Sequence, residues 1–80
     1  METRVAIVSI IVENVESVAA MNAVLHDYSE YIIGRMGLPY RQKGINIISV
    51  VIDAPNDVIS GFSDKIGCLD GLSMKMLYSK

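Results

Sequence analysis

Eighty residues with 51% apolar and 20% charged side chains describe one domain around a single hydrophobic core, and exclude a disordered segment. A formal charge of −2 and an isoelectric point near 5.1 exclude the basic face that duplex nucleic acid requires for counterion displacement. The single cysteine, Cys68, excludes an internal disulfide and a thiolate metal site of its own, as expected of a protein in a reducing cytoplasm.

The chain opens with "RVAIVSIIVE", Arg4 to Glu13, β-branched almost throughout and flanked by Glu2 and Glu13. It is too short to cross a bilayer and carries no small-x-small cleavage pattern, so it reads as an interior strand and no membrane is expected as a partner. Asn14 is a good helix N-cap, and Val15, Val18, Met21, Leu25 and Tyr28 recur at spacings of three or four. This predicts a helix to about Ser29 or Tyr31. "YIIGRM" then starts a second strand, "LPYRQKG" has the chemistry of a hairpin loop, and "INIISVVID" is a third strand. After "DAPND", the apolar positions Val58, Ile59, Phe62 and Ile66 define a second helix ending near Gly67, with caps expected at both ends. "CLDG" is a turn, and "LSMKMLY" alternates as a fourth strand with Leu72, Met74, Met76 and Tyr78 on one face.

The order βαββαβ predicts an α+β, ferredoxin-like fold across residues 1–80, a four-stranded antiparallel sheet with both helices on one face and strands one and three at its centre. Both faces of those central strands are apolar. Ala6, Val8, Ile10 and Val12 with Ile48, Val50 and Ile52 make one face; Val5, Ile7, Ile11, Ile47 and Val51, with Ile45, make the other. Helices cover only one of them, so the second predicts a homo-oligomer, a dimer or a tetramer, with those residues at the interface.

Catalytic chemistry is harder to find. One His and one Cys stand far apart, and Glu13 with Glu16 and Asp64 with Asp70 fall in no acid–base motif, so an enzyme is not expected. The first loop reads "ENVE", without the C-x-x-C of metallochaperones or the arginine-containing glycine loop of acylphosphatase-like enzymes, and the central strands lack the aromatics of RNA-recognition domains. Met74 and Met76 share a strand face as core filler. Cys68 reads as a small, partly buried turn residue. The stretch "GRMGLPYR" stands apart: Gly34 and Gly37 let a ligand approach the backbone, and Arg35 and Arg41, near Lys43, offer a fork for a carboxylate or phosphate. The same residues also fit a plainer role, with Gly34 at a bulge, Gly37 and Pro39 shaping the hairpin and the cations solvated.

"LHDYSEYIIGRMGLPY", "INIISVVIDAPNDVISGFSDKIG" and "GLSMKMLYSK" together resemble the small family of iron-only hydrogenase system regulators, over nearly the whole chain. The resemblance implies an ACT-like fold, similar also to the C-terminal domain of nickel-responsive repressors. Of the repressors' nickel-binding stretch only His26 is matched, with Gly37, Leu38 and Pro39 further along, so no metal site is expected; no cofactor is assigned. Asn14 and Val15 stand where ACT domains usually place the glycine of their amino-acid site. The expected function is a regulatory domain, acting as an oligomer without contacting DNA itself, that binds a small anionic ligand or a protein partner through His26, Gly34, Arg35, Gly37, Pro39 and Arg41 at an inter-subunit pocket. The alternative is an oligomerisation module with no small-molecule ligand.

Overall fold

Residue-by-residue alternation of burial dictates the architecture. The computed structural model describes residues 2–79 and runs β1 (Arg4–Val12), a 3-10 turn (Val15–Ser17), α1 (Val18–Asp27), β2 (Ile32–Tyr40), a second 3-10 turn (Arg41–Lys43), β3 (Ile45–Ala54), α2 (Asn56–Gly67) and β4 (Leu72–Tyr78). The strands form one antiparallel sheet in the order β2-β3-β1-β4, with the expected central pair, and the fold is the ferredoxin-like α+β arrangement.

Side chains on alternate positions of a strand point to opposite faces. Along β1 this buries Ala6, Val8, Ile10 and Val12, and along β3 it buries Ile48, Val50, Ile52 and Ala54. Their lid comes from Met21 and Leu25 of α1 and Ile59, Phe62 and Ile66 of α2, which recur at three- and four-residue intervals. Phe62 is fully buried and meets the Tyr28 ring edge-on, centroids 5.2 Å apart, which ties the end of α1 to α2. Leu72, Met74 and Met76 of β4 pack against the margin of this core, half-buried.

Four sequence expectations are corrected. The helix expected from Val15 begins at Val18, after a 3-10 turn in which the Asn14 Oδ1 accepts the Glu16 N–H at 3.1 Å; Val15 is left 71% exposed, and the helix stops at Asp27. The hairpin loop is much shorter than "LPYRQKG". Leu38, Pro39 and Tyr40 continue β2, because an edge strand tolerates the missing proline N–H, and Gly44 closes the turn at φ 66°. The second helix has no side-chain cap at its start, where Pro55 precedes Asn56, and it ends on Cys68 in a right-handed conformation instead of a glycine cap. Cys68 itself is exposed rather than partly buried.

Two hydrogen bonds fix how β1 leaves the sheet. The Glu13 N–H donates to the Gly71 carbonyl at 2.7 Å, and the buried Ser17 hydroxyl donates to the Asp70 carbonyl at 2.7 Å. Gly71 has φ 69°, and a Cβ there would lie 2.5 Å from the Asn14 Cβ. This clasp sets the direction of the Asn14–Val15 turn. Among the described residues, no helix is long and apolar enough to cross a membrane.

Candidate functional site

The stretch Gly34–Arg41 lies almost wholly in β2, an edge strand paired only with β3. A bulge between Ile32 and Gly34 resets its register, as the glycine foreshadows, and the strand then pairs Arg35 with Val50, Gly37 with Ile48 and Pro39 with Asn46. Those three therefore project on the helix-covered side, whereas Gly34, Met36, Leu38 and Tyr40 project on the open side. Every residue from Ile33 to Gly44 is exposed.

This geometry separates the candidates. Arg35 reaches α1, where its Nη2 donates to the Asn22 Oδ1 at 3.4 Å. Arg41 lies beyond the far end of the strand, roughly 20 Å away at about 3.3 Å per extended residue, so the two arginines do not form one fork. His26 is exposed on the last turn of α1 and its imidazole makes no hydrogen bond among the described residues. Among the described residues no group of three His, Cys, Asp or Glu side chains comes together.

What the structure does gather is a hollow of about 420 Å³ at the hairpin end of the sheet, lined by Val15, Pro39, Arg41, Gly44, Ile45 and Asn46. Two of these residues, Pro39 and Arg41, were legible as candidates; the other four were not. Val15 enters because the 3-10 turn displaces it from the core line, and Asn46 because it pairs with both Val12 and Pro39. Val15 and Pro39 give the hollow its apolar lining, beside Arg41 and Asn46, while the Ile45 side chain turns to the open side with its partner Tyr40. That combination suits a small molecule with an apolar body and an anionic end, and the volume falls within the range of small-ligand clefts.

A second surface spans the open side of the sheet. Val5, Ile7, Ile11 and Ile47 are each more than a third exposed there, and Val51 is half-buried. The face extends further than expected, through Met36, Leu38 and Tyr40 of β2 and Leu77 of β4. Leu38 and Tyr40 were hidden from sequence inspection because residues 38–40 read as loop. A shallow depression of about 260 Å³ lies on this side between Ile11, Ile47, Ser9, Ser73 and Lys75.

Comparison with known proteins places this geometry. Residues 4–76 match the model of the TM1266-like family, described as "Iron-only hydrogenase system regulator, putative". The uncharacterized protein TM1266 from Thermotoga maritima is 34% identical, with a TM-score of 0.93, 99% of this chain covered and 100% of that one. A formyltetrahydrofolate deformylase from Pseudomonas putida KT2440 superposes with a TM-score of 0.64 at 15% identity, over 90% of this chain and 28% of its own. A protein of unknown function from Galdieria sulphuraria gives 0.67 at 12% identity, over 99% and 46%. These two likenesses concern the fold alone. No curated protein matches the sequence.

Proposed function

From the premise that the chain belongs to the TM1266-like family of iron-only hydrogenase system regulators, we propose that it serves as a regulatory domain that reads a small anionic ligand at the hairpin-end hollow. The observation that carries this is the placement of Arg41 and Asn46 among apolar walls in a cleft of about 420 Å³. A guanidinium offers five donors in a planar fork, matched to a carboxylate or phosphate, while Val15 and Pro39 supply contact area for an apolar body. Gly44, in its left-handed turn, leaves the hairpin backbone open to the ligand.

Regulation in this reading passes through assembly and a partner protein rather than direct contact with DNA. The acidic isoelectric point supports that route, because a chain with net charge −2 lacks the excess cations that hold phosphates. Arg35 is a weaker ligand contact than expected, since its guanidinium already rests on Asn22, and His26 stands apart on α1.

Thermal unfolding of the purified protein, scanned against small carboxylates and phosphates, is the test. At least one anion raises the melting temperature of the wild type, and Arg41→Ala removes that rise while leaving the ligand-free melting temperature unchanged. If no anion acts, or if Arg41→Ala responds like the wild type, the hollow is not a ligand site. The second reading, an oligomerisation module without a ligand, is favoured by the extent of the apolar open face.

A further inference from the structure

The register divides the open face into rows running across the sheet. One row sets Leu38, Ile47 and Ile11 side by side, and another sets Val51, Ile7 and Leu77 together. Between them lies a mixed row of Met36, Ser49, Ser9 and Lys75. The larger apolar members are 36% to 71% exposed. Together they present on the order of 800 Å² of apolar surface, well above the few hundred Å² usual on a solitary domain and equal to one partner's share of a standard interface.

We propose that this face packs against the same face of a second copy of the chain, about a two-fold axis that sets Lys75 of each copy opposite Asp53 of the other. The inference deepens the oligomeric part of the function proposed above and rests on it, but it does not involve the hollow. Two observations select a second copy as the occupant. The first is area: the patch alone suffices for a stable dimer. The second is charge. Within the paired strands the face carries one cation, Lys75 opposite Ser9, and one anion, Asp53 opposite Val5. It is therefore neither acidic nor basic, and it favours no oppositely charged partner.

A two-fold interface matches each surface feature with its counterpart on the same surface, so one cation and one anion placed apart become two reciprocal pairs. Lys75 and Asp53 are two strands and four residues apart, about 17 Å at strand spacings of about 4.8 Å and rises of about 3.4 Å. For the two faces to meet, the axis lies in the interface plane, perpendicular to that diagonal at its midpoint, and it passes within about 4 Å of the centre of the apolar patch. One axis therefore brings the two patches together, with their rows crossing, and pairs the charges. Without such pairing, covering the Lys75 ammonium would oppose assembly.

Sedimentation equilibrium of the purified chain, without added ligand, tests this at micromolar concentration. The wild type is a dimer or a dimer of dimers. Ile47→Lys weakens association by at least about 100-fold while far-ultraviolet circular dichroism stays native, because Ile47 is a solvent-facing residue of a central strand whose backbone is paired on both sides. Leu77→Lys, on an edge strand and 68% exposed, gives the same result should Ile47→Lys unfold. Lys75→Asp and Asp53→Lys each weaken the dimer, and the double variant restores it to within about threefold of wild type. A wild-type monomer, or a dimer indifferent to folded Ile47→Lys and Leu77→Lys, overturns the proposed surface. A double exchange no better than the single ones overturns the two-fold register. Neither outcome touches the anion response, which fails separately through Arg41→Ala.

Discussion

Gly71→Ala tests the clasp that aims the chain from β1 towards the hollow. At φ 69° an alanine costs about 1–2 kcal/mol relative to glycine. The new methyl group would stand 2.5 Å from the Asn14 Cβ and 2.9 Å from the Asn14 backbone nitrogen, so the turn must shift. That shift strains the Glu13–Gly71 hydrogen bond of 2.7 Å and the Ser17–Asp70 bond of 2.7 Å, each worth about 1 kcal/mol net. The total is about 3–4 kcal/mol, against a stability of about 4–12 kcal/mol for a chain of this length. Melting followed by circular dichroism at fixed protein concentration should fall by roughly 15–30 °C. Gly67→Ala is the control: nothing lies within 4 Å of the added Cβ and its backbone is helical, so stability is unchanged or raised by up to about 1 kcal/mol. A Gly71→Ala protein within about 1 kcal/mol of wild type would refute the reasoning.

Phe62→Ala empties the centre of the core beneath Tyr28 and should destabilise by about 3–5 kcal/mol, read as a lower urea midpoint with an unchanged slope. Ser17→Ala removes the hydroxyl that holds Asp70, at a cost of about 1 kcal/mol in the same assay, since the exposed Asp70 can turn its carbonyl to water. Arg35→Ala loses only a long, exposed contact with Asn22 and should leave the melting temperature within about 4 °C of wild type, a change of about 0.5 kcal/mol or less.

The central strands were legible because apolar side chains on both faces make a continuous β-branched run, and their alternation fixes which residues go inward. Val8 and Val50 fall in the core while Ile7 and Ile47 do not, as the pattern of two requires. The edge strand was not legible to its end. Pro39 is a loop marker by type, and only the sheet order shows that it lies on an edge strand, where a missing donor is tolerated. Misreading residues 38–40 as loop hid both the outer third of the open face and the true length of the hairpin. The site was legible only in part for a related reason. Arg41 stands out by charge, but Val15 and Asn46 reach the hollow through pairing and a 3-10 turn, which leave no local mark in the sequence. Gly71 looked like an ordinary turn residue, and its close approach to Asn14 spans 57 positions of chain.

Strand β2 belongs to two surfaces at once, sending Pro39 towards the hollow and Met36, Leu38 and Tyr40 to the opposite side. It is held by β3 alone and, apart from half-buried Ile32, contributes no shielded side chain, which makes it the part of the sheet whose backbone amides should exchange soonest with solvent. Anything that quiets its motion from one side lowers the ordering entropy still to be lost on the other. If the hollow takes an anion and the open face a second copy, as proposed, the two events are thermodynamically linked, and a ligand that orders β2 tightens assembly by the same factor by which assembly tightens the ligand. On that proposal, an alternating edge strand is the route by which a chemical signal becomes a change in oligomeric state without any rearrangement of the core.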